Sequence, residues 1–261
     1  MKPVSWYKSL SSSKERRQEG CFLIEGKKAV EQMLAFHRDS VVELLYTEET
    51  VSFYTHTDVN VRIISAQNMK SICTSRTPQD IAAVLQIPAD TYTSYLPGKK
   101  GKNLLLLERV QDPGNVGSLI RTAAALGYNG VIMSDQCADP FSPKAVQSTA
   151  GSLLSVWIRR SGGYLDMAAQ LKNDGYVLIA ADLSGKESLN FNFKNTGPHI
   201  LALGNEGAGL SGQALTLCDR TVRVDIVESG AESLNVAACG AILMFTCSRK
   251  LESHLSIREK G

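Results

Sequence analysis

The sequence predicts an α/β protein in two parts: a small N-terminal α/β unit and a larger C-terminal unit built on a mostly parallel sheet. Three observations carry this reading. From residue 103 onward, short apolar runs alternate with amphipathic stretches, the pattern of strand–helix crossover units. The run Leu104–Leu107 is apolar without interruption, as in a strand covered on both faces. Between the two parts lies Tyr95-Leu96-Pro97-Gly98-Lys99-Lys100-Gly101-Lys102, where proline and glycine stop regular structure and three lysines favour solvent. The chain therefore divides into residues 1–95, a linker over 96–102, and residues 103–261.

In the first part, Val41–Tyr46, Val61–Ile64 and Ile81–Leu85 are short β-branched or apolar runs and read as strands. Lys27–Phe36 and Ala66–Cys73 carry the spacing of amphipathic helices. In the second part, Asp112 offers an N-cap oxygen and Pro113 suits the first helical position. The helix they open runs through Arg121 to Leu126, and Gly127 stops it as a left-handed cap. Further strands fit Val131–Met133, Tyr176–Ala181, Ile200–Leu203 and Val222–Ile226. Helices fit Leu165–Lys172 and Ser233 to about Arg249.

Composition narrows the function classes. The 261 residues hold 28 Lys+Arg against 26 Asp+Glu, a net charge of +2, with 43% hydrophobic and 21% charged residues. That excludes disordered, collagen-like and coiled-coil chains. It also argues against a strongly basic coat, although the first forty residues carry eight Lys/Arg against five Asp/Glu. Cysteines at 21, 73, 137, 218, 239 and 247 never take the C-x-x-C spacing, and the four histidines lie far from them. No metal is expected; free thiols fit a reducing, cytoplasmic setting. The N-terminus lacks the apolar core of a signal peptide, and no run reaches the roughly 18 apolar residues of a membrane helix, so no membrane association is expected.

Dinucleotide, P-loop, hydrolase-elbow and zinc-protease fingerprints are missing. Three segments that follow predicted strands stand out instead: Glu108–Arg121, Leu203–Ser211 and Glu232–Val236. Gly204, Gly207 and Gly209 permit close backbone approach and positive φ, so their loop can hold a flat heterocycle by main-chain groups. Ser233 and Asn235 read equally well as caps of the last helix.

These segments closely resemble the three signature motifs of the SpoU (TrmH-type) RNA ribose 2'-O-methyltransferases of the SPOUT superfamily. N-x-G-x-x-x-R falls on Asn115, Gly117 and Arg121; G-N-E-G-x-G-L on Gly204–Leu210; S-L-N-V on Ser233–Val236. Phe22-Leu23-Ile24-Glu25-Gly26 followed by a helix looks like the family's small substrate-binding domain, related to RNA-binding ribosomal proteins. The resemblance implies a deep trefoil knot near the C-terminus, S-adenosylmethionine in the knotted loops and an obligate homodimer. It implies cofactor contacts at Gly204, Val224 and Leu234, with the strand end Ala180-Ala181-Asp182 as a lesser candidate. It implies a catalytic group of Arg121, Asn115, Glu206, Ser233 and Asn235.

A guanidinium holds its proton too firmly to serve as a simple base. Arg121 is therefore expected to bind phosphate and stabilise the developing alkoxide, with Glu206 orienting Arg121 or the cofactor loop across the dimer. One departure stands out: Val224-Asp225-Ile226 replaces the usual I-P-M, and the stretch to Ser233, including Glu228 and Ser229, is one residue longer. The last helix is apolar all round, which suits burial between sheet and partner subunit. RNA would be held by the N-terminal unit, the lysine linker and Arg159-Arg160, a pair that reads equally as an exposed strand end. The substrate expected is rRNA; the alternatives are tRNA, or a non-catalytic RNA-binding protein that keeps the fold.

Overall fold

The computed structural model describes residues 2–50, 58–75, 77–185, 187–188, 197–227, 230 and 232–248. Its first part holds α1 (Val4–Ser9), α2 (Ser13–Glu19), β1 (Cys21–Glu25), α3 (Lys27–Phe36), β2 (Val41–Tyr46), β3 (Val61–Ile63), α4 (Ala66–Ile72) and β4 (Ile81–Gln86). They form a four-stranded sheet in the order β1-β4-β2-β3, with β4 antiparallel to both β1 and β2, and β2 parallel to β3. Phe22, Ile24, Leu44, Leu45 and Leu85 are buried in it.

The second part holds β5 (Asn103–Leu107), α5 (Pro113–Ala125), β6 (Gly130–Met133), α6 (Pro143–Thr149), β7 (Trp157–Arg160), α7 (Tyr164–Asn173), β8 (Val177–Ala181), β9 (Glu187–Ser188), β10 (His199–Leu203), α8 (Gly212–Leu217), β11 (Arg220–Arg223) and α9 (Val236–Ser248). Its sheet has the order β7-β6-β5-β10-β8-β11-β9, and each neighbouring pair is parallel. The apolar run at its centre is buried on both faces as expected: Leu105 and Leu107 join one core cluster, Leu104 and Leu106 another. Each such side chain contributes about 1.5–3 kcal/mol on leaving water.

Several boundaries moved for local reasons. The strand expected over Val222–Ile226 ends at Arg223, whose guanidinium bonds the Asp225 carboxylate (2.8 Å) and the Gly185 carbonyl (2.9 Å). The last helix opens at Val236 and not at Ser233, because the Asn235 carboxamide oxygen caps the amides of Ala237 (2.8 Å) and Ala238 (3.3 Å). Arg249, Glu228 and Ser229 lie outside the described residues. Gly127 has φ +76°, the left-handed stop expected of it.

The two parts are packed on each other. The rings of Phe22 and Phe141 meet at 5.0 Å, and their neighbours belong to one continuous cluster. Arg16 of α2, 2% exposed, pairs with Asp139 at 2.5 Å. It also donates to the carbonyls of Leu10 (2.8 Å) and Ser11 (2.7 Å).

The linker is held along the edge strand β7. Trp157 Nε1 donates to the Lys100 carbonyl (2.9 Å), Lys100 pairs with Asp174, and only Lys99 and Lys102 of the three lysines are exposed. Arg159 corrects the reading of Arg159-Arg160 as an RNA contact. It is buried, paired with Asp90, and donates to the Tyr95 carbonyl (2.7 Å). Arg160 bonds the carbonyls of Asp135 and Cys137. Both guanidiniums satisfy main-chain groups of the turns beside β7.

Candidate active site

Beside β5 the chain moves outward to β6 and β7; beside β10 it moves the other way, past β8 to β11. Such a reversal opens a crevice at the carboxyl ends of the strands. The loops after β5 and β10 meet there. Glu108, buried at the end of β5, accepts from the Ser211 amide (2.6 Å), the Ser211 hydroxyl (2.6 Å) and the Tyr164 hydroxyl, which ties the two loops together. Burial pushes its carboxyl up, but the Ser211 and Tyr164 hydrogen bonds outweigh that and hold it below the usual range.

The loop after β10 closes on itself. A Cβ on Gly204 would stand 2.2 Å from the Gly209 carbonyl carbon and 2.3 Å from the Leu210 nitrogen, so only glycine fits. Asn205 and Gly209 exchange backbone hydrogen bonds of 3.0 and 2.9 Å, and the Asn205 side-chain oxygen accepts from the amides of Gly207 and Ala208. Of the three glycines expected at positive φ, Gly209 alone has it (+66°); Gly204 is needed for close approach.

Three predicted residues come together as a chain of side chains. Asn115 Nδ2 donates to Glu206 Oε1 at 3.0 Å, and Asn235 Nδ2 donates to Asn115 Oδ1 at 3.0 Å. Glu206 also accepts, at 3.4 Å each, from the amides of Gln111 and Asp112 before α5. Desolvation raises its carboxyl, but the Asn115 amide and these main-chain donors prevail and keep it below the ordinary value. Glu206 is therefore an ionised acceptor that orients Asn115. Asp112 caps α5 through the Asn115 amide (3.0 Å), with Pro113 in the first turn, as the sequence led us to expect. Its other oxygen pairs with Lys144 at 2.6 Å.

Beside this chain lies a cavity of about 300 Å³, walled by Leu203, Gly204–Leu210, Val222, Val224, Ile226, Ser233, Leu234 and Cys239, with Ala181 and Asp182 on the β8 side. All three predicted cofactor residues, Gly204, Val224 and Leu234, line it, and so does Ser233. Apolar walls, loop main chain and a carboxylate from Asp182 or Glu206 suit a nucleoside-bearing sulfonium such as S-adenosylmethionine. Arg121 is not brought to the cluster. It is exposed, makes no hydrogen bond among the described residues, and stands six residues past Asn115, about 120° around the helix.

Sequence reasoning missed Glu108 and Asn205; a carboxylate directly after a buried apolar run was the available signal for the first. It also left Gly117 as a motif letter. A Cβ there would stand 2.3 Å from the Ala145 carbonyl oxygen, so this glycine lets α5 and α6 cross closely.

Fold and loop cluster together are those of an S-adenosylmethionine-dependent RNA methyltransferase. More narrowly, the chain belongs to the SpoU rRNA Methylase family, whose pattern matches residues 102–245, while residues 4–83 match the MRM3-like substrate binding domain. It is 33% identical over 245 residues to the 23S rRNA (guanosine(2553)-2'-O)-methyltransferase RlmP of Bacillus subtilis, covering 93% of this chain and 94% of that one. Among solved structures, the SpoU methyltransferase AviRb of Streptomyces viridochromogenes with AdoMet matches with TM-score 0.80 and 28% identity, over 94% of this chain and 96% of that one. The AdoMet-bound rRNA methyltransferase of Sinorhizobium meliloti matches with TM-score 0.80 and 28% identity, over 96% and 95%. Among the described residues no cluster of metal-binding side chains occurs, and no helix is long and apolar enough to cross a membrane.

Proposed function

We propose that this enzyme methylates a ribose 2'-hydroxyl of ribosomal RNA as a homodimer in the cytoplasm. The observation that carries the reading is the Glu206–Asn115–Asn235 chain set against a cavity lined by Gly204, Val224 and Leu234. The match of the N-terminal part to a substrate-binding domain, together with exposed Lys8, Lys14, Lys27 and Lys28, supports an RNA grip there.

When bound, S-adenosylmethionine supplies the electrophilic methyl carbon. Main chain around Gly204 and Leu234, with Val224, holds the donor, and Ser233 borders it. Asn115, held by ionised Glu206 and by Asn235, presents amide groups to the incoming ribose. Arg121 supplies positive charge for the adjoining phosphate and for the oxygen as its proton leaves. Because Arg121 stands apart from the cluster of its own chain, we assign it to the site of a second copy.

Support for that second copy comes from α9. Its buried face (Gly240, Leu243, Met244, Cys247) packs on α5 and β10, while Ile242 and Phe245 of its other side are 38% and 48% exposed. The trefoil knot belongs to the same reading, supported by a C-terminal segment that returns from β11 to Asn115 and then covers α5.

Calorimetry with S-adenosylmethionine tests the donor site: binding is expected, and no heat at millimolar donor defeats the assignment. Mapping 2'-O-methyl groups in total RNA from strains with and without the gene tests the substrate. Loss of one rRNA methyl group is expected; loss from a tRNA instead moves the substrate, and no loss defeats the reading.

A further inference from the structure

One charged side chain beside the site has no hydrogen-bond or ion-pair partner among the described residues. Arg109 follows β5 directly with φ +55°, a region that glycine and asparagine enter freely and other residues enter at a cost. The backbone there has two tasks. The Arg109 amide donates to Ser134 Oγ (2.9 Å), and its carbonyl accepts from Asn205 Nδ2 (2.9 Å), the residue next to Glu206. Neither bond needs a side chain, so glycine or asparagine would serve.

The arginine side chain instead lies with Nε buried and without a hydrogen-bond partner. Its guanidinium forms no ion pair among the described residues. The neighbouring carboxylate, Glu108, feels the positive charge but is already committed to Ser211 and Tyr164. Buried polar groups in folded proteins have partners, and an orphan points to one supplied from outside. A planar guanidinium suits a phosphate in particular.

We propose that Arg109 binds a backbone phosphate of the RNA beside the methylated ribose, a substrate contact separate from that of Arg121. The proposal rests on the RNA-methylation reading and adds a residue to it. Left-handed backbone sets Arg109 at the carboxyl end of β5, its carbonyl bonded to Asn205 and its charge felt by Glu108 and Tyr164, and the strain is retained for that placement.

The test uses full-length enzyme, S-adenosylmethionine and deproteinised large-subunit rRNA from a strain lacking the gene. Wild-type enzyme must methylate this RNA; if it does not, the substrate reading fails whatever the variants do. Arg109→Asn and Arg109→Gly both accept the left-handed backbone. They are expected to keep the melting temperature and the donor affinity while raising the RNA KM about tenfold at unchanged kcat. The slope of log affinity for RNA against log salt should shrink by about 0.7–0.9, one phosphate contact. Arg109→Lys should stay within about threefold of wild type, since it keeps the charge. An unchanged RNA KM and salt slope in the Asn and Gly variants overturns the proposal. So does a loss of melting temperature and donor affinity with no change in salt slope, which marks a packing role.

Discussion

In the N-terminal sheet β4 runs antiparallel to β1 and to β2, so connecting loops leave from both ends. In the seven-stranded sheet each described pair is parallel, and every strand delivers its following loop to the same end. The consequence is visible in the side chains. Loops after β5, β8, β10 and β11 converge on one cavity and one amide–carboxylate chain. In the first sheet the segment carrying Thr74 and Ser75 meets the Glu25 carboxylate beside a smaller cavity of about 60 Å³. Parallel pairing concentrates loop chemistry; antiparallel pairing spreads it.

The sharpest way to break this contrast is to separate the two sheets. Asp139→Ala leaves Arg16 a buried, unpaired charge, and should cost about 3–5 kcal/mol. Scanning calorimetry should show a melting temperature lower by on the order of 10 °C, with RNA affinity reduced more than donor affinity. Equal loss of both affinities would mean that the pair supports the catalytic sheet alone.

Next comes Arg121 on the parallel side. Arg121→Ala should lower kcat on the order of 10²–10³-fold with donor affinity intact, while Arg121→Lys keeps measurable activity. Complete, equal loss in both would count against a positioning and charge-stabilising role. Lys28→Ala, on the antiparallel side, should change RNA affinity by severalfold at most and leave kcat alone.

An effect smaller than that of Arg121→Ala is expected for Gly204→Ala. The added Cβ meets backbone, and about 1–3 kcal/mol of strain in the loop should raise the donor Kd roughly tenfold or more. Titration with the donor would show it.

The smallest effect concerns acid. His199, at the start of β10, is buried against Tyr128 Oη (3.2 Å), and burial disfavours its charged form, placing it below its ordinary 6.5. A lowered folded value means that this contribution is full above 6.5 and is lost as pH falls below it. His199→Gln should flatten the decline of stability between about pH 6.5 and 5, read from urea unfolding at stepped pH.

Much of this architecture was legible in the residues. Lys27–Phe36 was read to the residue, because its apolar spacing, with Val30, Met33 and Leu34 buried, is local information. So was the cap at Asp112, which depends on a neighbour three residues away. Asn115, Glu206 and Asn235 could be picked out by resemblance to the family motifs, but their mutual bonds could not. Those partners are separated by 91 and 120 residues and meet only through the strand order. Arg159 misled for the same reason. Two adjacent arginines look solvent-seeking until Asp90 and the Tyr95 carbonyl, 69 and 64 residues earlier, are seen to hold the first of them. Helices α1, α2, α6 and α8, each of six or seven residues, escaped notice, although α4, of seven residues, was read from its apolar spacing.

The cap of α9 has one more implication, and it concerns synthesis. Asn235 both starts the last helix and closes the chain of bonds to Asn115. A ribosome making this protein therefore releases the first two motifs before the third emerges. Until the residues of α9 have left the exit tunnel, the nascent chain lacks the amide that holds Asn115 from that side and the wall that Leu234 gives the cavity. Chains that stop before Ser233 thus lack part of the site. An RNA methyltransferase of this build acquires its competence only once its third motif has been made.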